Sequence, residues 1–398
     1  MKTVKFYTLG CKVNQYDTQS IRERFLNHGF KEISNGAKAS VCLINTCTVT
    51  SSADQKSRNI IRRFSRENPK ARIIVTGCLV NKDYATLAKI TGVDFIISKR
   101  FFPEGITRFS GRTRAFLKIQ DGCDNACAYC KVPLVRGRSR SRGACEVLAE
   151  ARKLVKSGFK EIVLTGICLG AYGRGITPKT DLVRLISALE KIEGLKRIRL
   201  SSIEAGDVTK ALIDKMSRSA KLCRHLHIPM QSGDDQILKR MRRKYTRNDY
   251  LVLIRSLRRK IPDIAITTDI MIGFPGEGED NFNNTLDMIK QILPLKVHIF
   301  PYSRREGVRS CRYKDEVPVD LVRERMQKLA RLSDSLSKDF KKKFLGRIIP
   351  VLIEGRSNDH PEYWEGYSGN YIKVRYKSKK ELRNKIEPVF LLDNSVTL

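Results

Sequence analysis

Three cysteines lie within eight positions of the segment DGCDNACAYCKVPLVRGRSRSR, residues 121–142. Cys123, Cys127 and Cys130 have the spacing C-x3-C-x2-C. A structural zinc site takes four ligands, usually from paired C-x2-C spacings or from cysteine pairs combined with histidine pairs. No fourth cysteine or histidine follows until Cys145. Zinc is therefore the alternative here, and the spacing favours an iron–sulfur cluster.

A 4Fe–4S cluster normally takes four thiolates, and this motif supplies three. One iron is then free to bind a molecule that offers an amine and a carboxylate, such as S-adenosylmethionine. Electron transfer from the cluster would split the sulfonium bond and yield a carbon radical. Tyr129 is the aromatic residue directly before the third cysteine. We predict that Cys123, Cys127 and Cys130 are the catalytic cysteines, because they would hold this cluster.

A second group of cysteines is spread over the first hundred residues. Cys11, Cys47 and Cys78 each follow a predicted strand, in VKFYTL, SVCLINTC and RIIVTGC. The segments TQSIRERFLNHG and DQKSRNIIRRFSREN between them have helical periodicity. Apolar strands separated by helices indicate a doubly wound parallel α/β domain, whose strands end at one ligand-binding edge. We expect the three thiols to meet at that edge.

Residues 110–335 alternate strand and helix about six times, with strands AFLKIQ, EIVLTG, RIRLSS, HLHIPM, IAITTDIMIGF and KVHIFPY. A complete barrel of this kind has eight units, so six predict an open (βα)6 partial TIM barrel. Polar residues lie at the strand ends, at 165–166, 201–204, 231–233 and 273–277. His225 and His227 are expected to face different sides of one strand, as core or pocket residues and not as metal ligands.

The segment after a Lys- and Arg-rich helix at about 319–343 loses helical periodicity. The strands RIIPVLIEG, YWEGYSGNYIKVRY and EPVFLLDN predict a small all-β barrel of about 55 residues. Aromatic and basic residues alternate in it: Tyr363, Trp364, Tyr367, Tyr371, Lys373 and Arg375. That mixture suits stacking on exposed bases beside phosphate contacts, although core packing explains the aromatic residues equally well.

The 398-residue chain has 77 Lys and Arg against 42 Asp and Glu, a net charge of +35. Such a surplus indicates a polyanionic partner; a well-solvated basic surface is the alternative. Arg136, Arg138, Arg140 and Arg142 alternate, so we expect them on one side, paired with phosphates of RNA. No stretch approaches the roughly 20 apolar residues of a membrane helix, and MKTVKFYTLG lacks a signal-peptide pattern. We therefore expect a cytoplasmic protein whose 11 cysteines serve metal or redox chemistry.

These motifs together resemble the radical S-adenosylmethionine methylthiotransferase family over essentially the whole chain. TLGCKVNQYDT, NTCTVTSSADQKSR and VTGC resemble its amino-terminal domain, and RAFLKIQDGC with CDNACAYC resembles its radical domain. LTGICLGAYG, RLSSIE, HIPMQSG and TDIMIGFPGE match its later landmarks. The tail resembles the RNA-binding TRAM domain. The resemblance implies domains at 1–108, 109–338 and 339–398.

The resemblance also implies cofactors and ligands. Cys123, Cys127 and Cys130 would bind the radical-generating 4Fe–4S cluster, and Cys11, Cys47 and Cys78 a second, auxiliary one. The S-adenosylmethionine pocket would include Tyr129, Gly166, Glu204 and Gln231. One S-adenosylmethionine would generate the radical and another would donate the methyl group. An electron-donor protein and a sulfur source are the further partners.

Within the family, TLGCKVNQYDT and RTRAFLKIQDGC resemble the subgroup that acts on tRNA carrying threonylcarbamoyladenosine beside the anticodon. Its reaction places a methylthio group on carbon 2 of the adenine. The alternatives are a methylthiotransferase acting on an aspartate of a ribosomal protein, the related isopentenyladenosine enzyme, and a non-catalytic iron–sulfur RNA-binding protein. Two positions depart from the family: Cys168, where His or Asn is more usual, and Arg304, where Pro is usual. The remaining cysteines are expected to be ordinary thiols: Cys42, Cys145, Cys168, Cys223 and Cys311.

Overall fold

The computed structural model describes residues 2–33, 37–98 and 105–393. In its amino-terminal part the elements are, in chain order, β1 (Thr3–Thr8), α1 (Lys12–Asn27), β2 (Lys31–Glu32), β3 (Val41–Thr46), α2 (Ser51–Glu67), β4 (Arg72–Gly77), α3 (Tyr84–Ala88) and β5 (Phe95–Ile96). All three strands predicted here are present. Helix α1 begins six residues before the predicted segment, because its first turns bury polar residues such as Asn14 and Asp17 and so lack an apolar stripe.

The strands of this part form one parallel sheet in the order β2-β1-β3-β4-β5. In such an order the chain moves to opposite sides from β1 and from β3, and right-handed crossovers then place α1 and α2 on opposite faces. Consistently, Ile44 packs with Phe64 of α2, whereas the next residue, Asn45, donates to the carbonyl of Asn14 in α1 at 2.9 Å. The doubly wound prediction is confirmed. The strand order reverses between β1 and β3, where this fold binds ligands.

The middle part is the longest. Its elements are β6 (Arg114–Lys118), β7 (Gln120–Asp121), α4 (Val132–Arg136), β8 (Arg140–Ser141), α5 (Ala144–Lys156), β9 (Glu161–Thr165), α6 (Leu182–Glu190), β10 (Arg197–Leu200), α7 (Lys210–Arg218), β11 (His225–His227), α8 (Asp235–Arg240), α9 (Arg247–Lys260), β12 (Ala265–Ile272), α10 (Glu279–Ile292), β13 (Lys296–Pro301) and α11 (Val319–Lys342).

Six parallel strands of this part form an open barrel. They make two ladders, β10-β9-β6 and β11-β12-β13, which single parallel bridges join at Ile198–Leu222 and Ser202–His227. Strand β9 is buried along its whole length, as a strand covered on both faces should be. The short β7 and β8 form a separate antiparallel pair beside the barrel. The predicted (βα)6 partial barrel is confirmed, with all six strands in the predicted segments.

The carboxyl-terminal part is antiparallel. Its strands are β14 (Ile348–Arg356), β15 (Tyr363–Ser368), β16 (Lys373–Lys377) and β17 (Ile386–Phe390). Their order, β16-β15-β14-β17, leaves β16 and β17 as edges, so the described strands form a half-barrel sheet. Trp364 lies in its core. The predicted small all-β unit is confirmed; residue 394, at the end of the last predicted strand, lies outside the described residues.

The half-barrel sheet covers the amino-terminal end of the barrel strands. Arg197, the first residue of β10, donates to the carbonyls of Tyr367 and Pro350 at 3.0 and 2.6 Å. Arg114, the first residue of β6, pairs with Glu354 at 2.5 Å. The opposite, carboxyl-terminal end of the strands is therefore the end available for chemistry. Within the ranges given above, no helix is long and apolar enough to cross a membrane.

Candidate active site

One cysteine group lies on a single loop at the carboxyl-terminal end of β6. We call Cys123, Cys127 and Cys130 the loop triad. The amide of Cys123 donates to the carbonyl of Gly137 at 3.1 Å, and that of Ala128 donates to the carbonyl of Met241 at 2.9 Å. Glycine is required just before Cys123, because a β-carbon on Gly122 would lie 2.0 Å from the carbonyl oxygen of Arg138. The loop is thus held by backbone contacts at both ends.

Arg243 connects the loop triad to Glu204. Its guanidinium donates to Cys127 Sγ at 3.3 Å and to the Tyr129 hydroxyl at 3.5 Å, and it forms an ion pair with Glu204. Cys127 and Glu204 line a cavity of about 260 Å³. Glu204 therefore lies beside the loop triad, in the region where the sequence predicted it. Arg243 carried no recognisable motif and was missed.

The thiols of the loop triad differ in acidity. Burial raises the pKa of Cys130 to about 12, and the nearby Cys127 and Cys123 add to the effect. Burial likewise raises the pKa of Cys127. A hydrogen bond from the Cys168 thiol lowers the pKa of Cys123 to about 7. A bound metal needs thiolates, so its positive charge must displace protons from at least two of the three groups.

The other cysteine group comes from the ends of three strands. We call Cys11, Cys47 and Cys78 the strand triad; they follow β1, β3 and β4. The backbone comes close here, because a β-carbon on Gly10 would lie 3.0 Å from Cys47 Sγ, and Gly10 has φ +97°. Burial raises the pKa of Cys47 to about 11, and Cys78 and Cys11 contribute to it. The strand ends thus bring the three thiols together, as the sequence predicted.

Arg136 lies beneath the strand triad and not on the surface. It is 2% exposed, pairs with Asp121 at 2.8 Å and donates to Oδ1 of Asn14, the same atom that accepts from Cys78 Sγ at 3.8 Å. A buried guanidinium with these partners cannot reach a phosphate group. The predicted RNA-binding role of Arg136 is corrected to a structural one.

The three other arginines of the alternating series, Arg138, Arg140 and Arg142, also differ in exposure. Arg142 pairs with Glu150 at 2.7 Å and its side chain is 11% exposed, whereas Arg138 is 90% exposed and Arg140 is also exposed. The predicted single-sided arrangement fails because Arg136 ends helix α4 and Gly137, at φ +77°, redirects the chain. Arg138 and Arg140 are the two that stay available to RNA.

A cavity of about 700 Å³ lies between the two triads. All three cysteines of the strand triad line it, as does Cys130 of the loop triad. Tyr129, Gly166 and Gln231 line it too, so three of the four residues predicted for S-adenosylmethionine lie together. A β-carbon on Gly166 would lie 2.9 Å from Gln120 Oε1, which accepts from the amides of residues 167 and 168.

The cavity also has the polar groups that a nucleoside-like cofactor requires. Among the described residues, Gln231 Oε1, Ser201 Oγ and His225 Nδ1 are buried without a hydrogen-bond partner, and all three residues line the cavity. Burying such atoms unpaired costs about 1–3 kcal/mol each, so they favour a polar ligand. The free thiols at one end and these atoms at the other fit a cluster with bound S-adenosylmethionine.

The two histidines of β11 face the same way, contrary to the prediction. His225 and His227 both hydrogen-bond to Thr267 Oγ1, at 3.0 and 2.9 Å, because residues two apart in a strand lie on one face. His227 further groups with Asp269 and His298, whose ligand atoms all lie within 4.8 Å of one another. The sequence analysis did not identify Asp269 or His298 individually.

The aromatic and basic residues of the half-barrel sheet are partly internal. Trp364 is 2% exposed, so the core-packing alternative holds for it, whereas Tyr371 and Tyr367 stack on each other and are only partly buried. Lys373 and Arg375 both pair with Glu365, at 2.7 and 3.0 Å. One carboxylate thus neutralises part of their charge, and their RNA-binding role stays a prediction.

Comparison with known proteins agrees with this geometry. Residues 3–98 match the model of the uncharacterized protein family UPF0004, and residues 117–289 match that of the radical SAM superfamily. The chain is similar to TsrM from Kitasatospora setae, a radical S-adenosylmethionine methyltransferase, with a TM-score of 0.53 and 12% identity over 77% of this chain and 76% of that one. At that identity the similarity concerns the fold alone.

Curated relatives match nearly the whole chain. The threonylcarbamoyladenosine tRNA methylthiotransferase MtaB of Bacillus subtilis (strain 168) is 39% identical over 98% of this chain and 94% of its own. The protein of the same name from Chlamydia pneumoniae is 38% identical over 92% of this chain and 91% of its own. A tRNA-2-methylthio-N(6)-dimethylallyladenosine synthase from Clostridium tetani is 33% identical over 96% of this chain and 92% of its own.

Proposed function

The chain belongs to the radical S-adenosylmethionine methylthiotransferase family, and from this premise we propose that it places a methylthio group on carbon 2 of threonylcarbamoyladenosine beside the anticodon of tRNA. The observation that carries the proposal is one cavity lined by the whole strand triad and by Cys130 of the loop triad. Two relatives named for the threonylcarbamoyl substrate are 38–39% identical and a third is 34% identical, against 31–34% for those named for the dimethylallyl substrate.

Radical SAM enzymes use a 4Fe–4S cluster and S-adenosylmethionine. We assign this cluster to the loop triad and a second 4Fe–4S cluster to the strand triad. When bound, the first cluster and S-adenosylmethionine supply a carbon radical that can take hydrogen from an unactivated C–H bond, which an ordinary base cannot deprotonate. The second cluster would be the point of sulfur entry.

The protein's own groups position these reactants. Arg243 would hold Cys127 through its hydrogen bond and is itself fixed by Glu204. Gln231 and Ser201 offer their unpaired oxygens to S-adenosylmethionine. The half-barrel sheet closes the far end of the barrel and keeps water from entering there, which protects a reactive radical. These roles, and the division into three domains, are part of the proposal.

The partners follow from the same reaction. The net charge of +35 supports a tRNA substrate, and the exposed Arg138 and Arg140 lie beside the loop triad, where phosphates would pass. A reducing protein must supply electrons, a sulfur source must refill the second cluster, and the reaction takes place in the cytoplasm. A ribosomal-protein enzyme or a non-catalytic RNA-binding protein has less support, because the relatives compared here carry names of tRNA-modifying enzymes.

Mass spectrometry of tRNA nucleosides tests the proposal. A strain lacking the gene should lose 2-methylthio-threonylcarbamoyladenosine and accumulate threonylcarbamoyladenosine. Wild-type protein should restore the product, and Cys127→Ala should not. If the product persists in the deletion strain without a paralogue, or if only the methylthio form of dimethylallyladenosine disappears, the assigned substrate is wrong.

A further inference from the structure

The large cavity between the triads has an excess of positive charge. Of the described residues that line it, Asp269 is the one carboxylate, and His227 lies 3.2 Å from it. The lysines and arginines of the lining are Lys12, Arg112, Arg114, Lys131, Arg136 and Arg199. The cavity therefore attracts an anion before any cofactor is considered.

Three of these cations already have acidic partners. Arg114 pairs with Glu354, Arg136 with Asp121, and Arg199 with Glu161 at 2.7 Å. Lys12, by contrast, forms no ion pair or side-chain hydrogen bond with any residue in the part of the chain that the structure describes. It is the first residue of α1, directly after Cys11. Lys12 is exposed and lines the cavity, which is where a charged ligand would meet its ammonium group.

Lys12 lies near a group of donors at the cavity end closed by the half-barrel sheet. Arg114, Arg199 and Tyr371 line the same cavity as Lys12 and act electrostatically on its ammonium group. The Arg114 guanidinium lies 5.6 Å from the centre of the Tyr371 ring. All of these groups can donate a hydrogen bond, so together they suit a ligand with several acceptor oxygens, such as a carboxylate.

Tyr371 is held at this position at a cost to the backbone. Its φ is +68°, which is unusual for a bulky residue. The ring stacks between His225, at 4.6 Å, and Tyr367, at 5.0 Å. Arg199 lies 4.8 Å over its face. Backbone strain that the surroundings enforce is typical of functional positions, and here it places a side chain of the third domain inside the catalytic cavity.

We infer that Lys12, Arg114 and Tyr371 form an anion subsite that binds the threonine carboxylate of the threonylcarbamoyl group. The inference rests on the proposed function and goes beyond it by naming what distinguishes this substrate from an adenosine with an apolar side chain. The N6 substituent carries a carboxylate in one substrate and a hydrocarbon in the other. A lysine without an acidic partner stabilises the bound carboxylate, whereas a bound hydrocarbon would desolvate the lysine without pairing with it. Lys12 would therefore make the enzyme select the threonylcarbamoyl substrate over the apolar one.

The experiment compares two RNA substrates that differ in one charge. Both are the same anticodon stem–loop; one carries threonylcarbamoyladenosine and the other carries its carboxamide, in which a neutral amide replaces the carboxylate. Formation of the methylthio product gives kcat/KM for wild type, Lys12→Gln and Lys12→Arg, all with loaded clusters. Lys153→Gln, an exposed lysine on the outer helix α5, removes the same charge far from the cavity.

Wild type should prefer the carboxylate RNA by at least about tenfold, the value of a charge-assisted hydrogen bond. Lys12→Gln should lose about that factor on the carboxylate RNA and stay within about twofold on the carboxamide, by the same principle. Lys12→Arg should keep part of the preference for the carboxylate RNA, and Lys153→Gln should keep all of that preference. Iron content and formation of 5′-deoxyadenosine without RNA should be unchanged in Lys12→Gln.

Three outcomes would overturn the inference. Equal losses of Lys12→Gln on both RNAs would mean that Lys12 acts through the neighbouring cluster or the fold. Equal use of both RNAs by wild type would remove the subsite and leave the proposed reaction standing. Failure of wild type on both RNAs would overturn the proposed function itself. If Lys12→Gln does not retain iron, Tyr371→Phe decides: it should reduce the preference for the carboxylate, and no reduction would refute the subsite.

Discussion

The loop triad comes from eight consecutive residues, whereas the strand triad comes from the ends of three parallel strands. The loop can adjust locally when a metal binds. The strand triad depends on the register of a whole sheet and on an arginine from the middle part of the chain, because Arg136 contacts Asn14 beneath Cys78. One triad is therefore a local motif, and the other exists only in the assembled protein.

Each triad also has its own buried arginine with its own carboxylate. Arg243 contacts Cys127 and pairs with Glu204, whose side chain is 27% exposed. Arg136 pairs with Asp121, whose side chain is 8% exposed. The arginine of the drier pair, Arg136, also contacts Asn14 of the amino-terminal part. The comparison teaches that the strand triad, unlike the loop triad, is supported by a contact between two parts of the chain.

Removing one ligand from each triad should separate their chemistry. Cys127→Ala should reduce 5′-deoxyadenosine formation to background and therefore also abolish the methylthio product. Cys47→Ala should keep 5′-deoxyadenosine formation and lose only the methylthio product. Chromatographic assays of both products on anaerobic protein check this. Identical losses in the two variants would mean that the triads do not hold functionally separate centres.

Removing the two arginines should sharpen the contrast in stability. Arg136→Met removes the guanidinium that pairs with the buried Asp121 at 2.8 Å, although Lys118 stays 3.6 Å from the same carboxylate. We therefore expect a loss of about 3 kcal/mol in the free energy of unfolding, at the lower end of the cost of breaking a buried ion pair. Arg243→Met leaves Glu204, whose side chain is 27% exposed and can be solvated by water. We expect a loss of about 1–3 kcal/mol in the free energy of unfolding. Urea unfolding of the wild type and both variants measures the difference. A larger loss for Arg243→Met would contradict the assignment of Arg136 as the interdomain support.

The outward arginines beside the loop triad should affect tRNA binding and nothing else. The double variant Arg138→Gln, Arg140→Gln should weaken tRNA binding and lower the salt slope of log K by about 1 to 2, since each phosphate contact contributes about 0.9 and Arg138 already pairs with Asp124. The matched pair Lys373→Gln, Arg375→Gln should lower it by less, because Glu365 already pairs with both. Binding isotherms at several salt concentrations test this; equal slopes for the wild type and the first variant would refute the contact.

The smallest effect concerns thiol reactivity within the loop triad. The pKa of Cys123 is lowered to about 7 and that of Cys130 is raised to about 12, so at pH 7 the first has far more thiolate. Iodoacetamide should therefore alkylate Cys123 before Cys130 in metal-free protein, because the thiolate is the nucleophile. Cys168→Ala removes the hydrogen bond to Cys123 and should slow the alkylation of Cys123 several-fold. Peptide mapping by mass spectrometry gives the order, and faster alkylation of Cys130 would contradict it.

The sequence sufficed for those parts of the site that a local pattern encodes. The spacing of the loop triad is contiguous, and the strand triad could be predicted because each cysteine follows an apolar strand of a recognisable parallel sheet. The prediction that Arg136, Arg138, Arg140 and Arg142 lie on one side was wrong. Gly137 and the end of α4 interrupt an alternation that looks continuous in the sequence.

Other features have no local pattern at all. Lys12, Arg114 and Tyr371 come from the three parts of the chain and meet only after those parts dock. Arg243 is one of many arginines, and nothing around it in the sequence distinguishes it. Cys168 was assigned as an ordinary thiol, yet it hydrogen-bonds to the loop triad. Residues that act by convergence of distant segments require the tertiary structure.

Mössbauer spectroscopy of iron-57-loaded protein tests the central claim most directly, on the wild type and on two triple variants. In one variant alanine replaces the whole loop triad, and in the other it replaces the whole strand triad. We predict two 4Fe–4S clusters in the wild type and one in each variant, with S-adenosylmethionine perturbing the spectrum only when the loop triad is intact. A wild type with a single cluster, or a loop-triad variant that still responds to S-adenosylmethionine, would contradict the account.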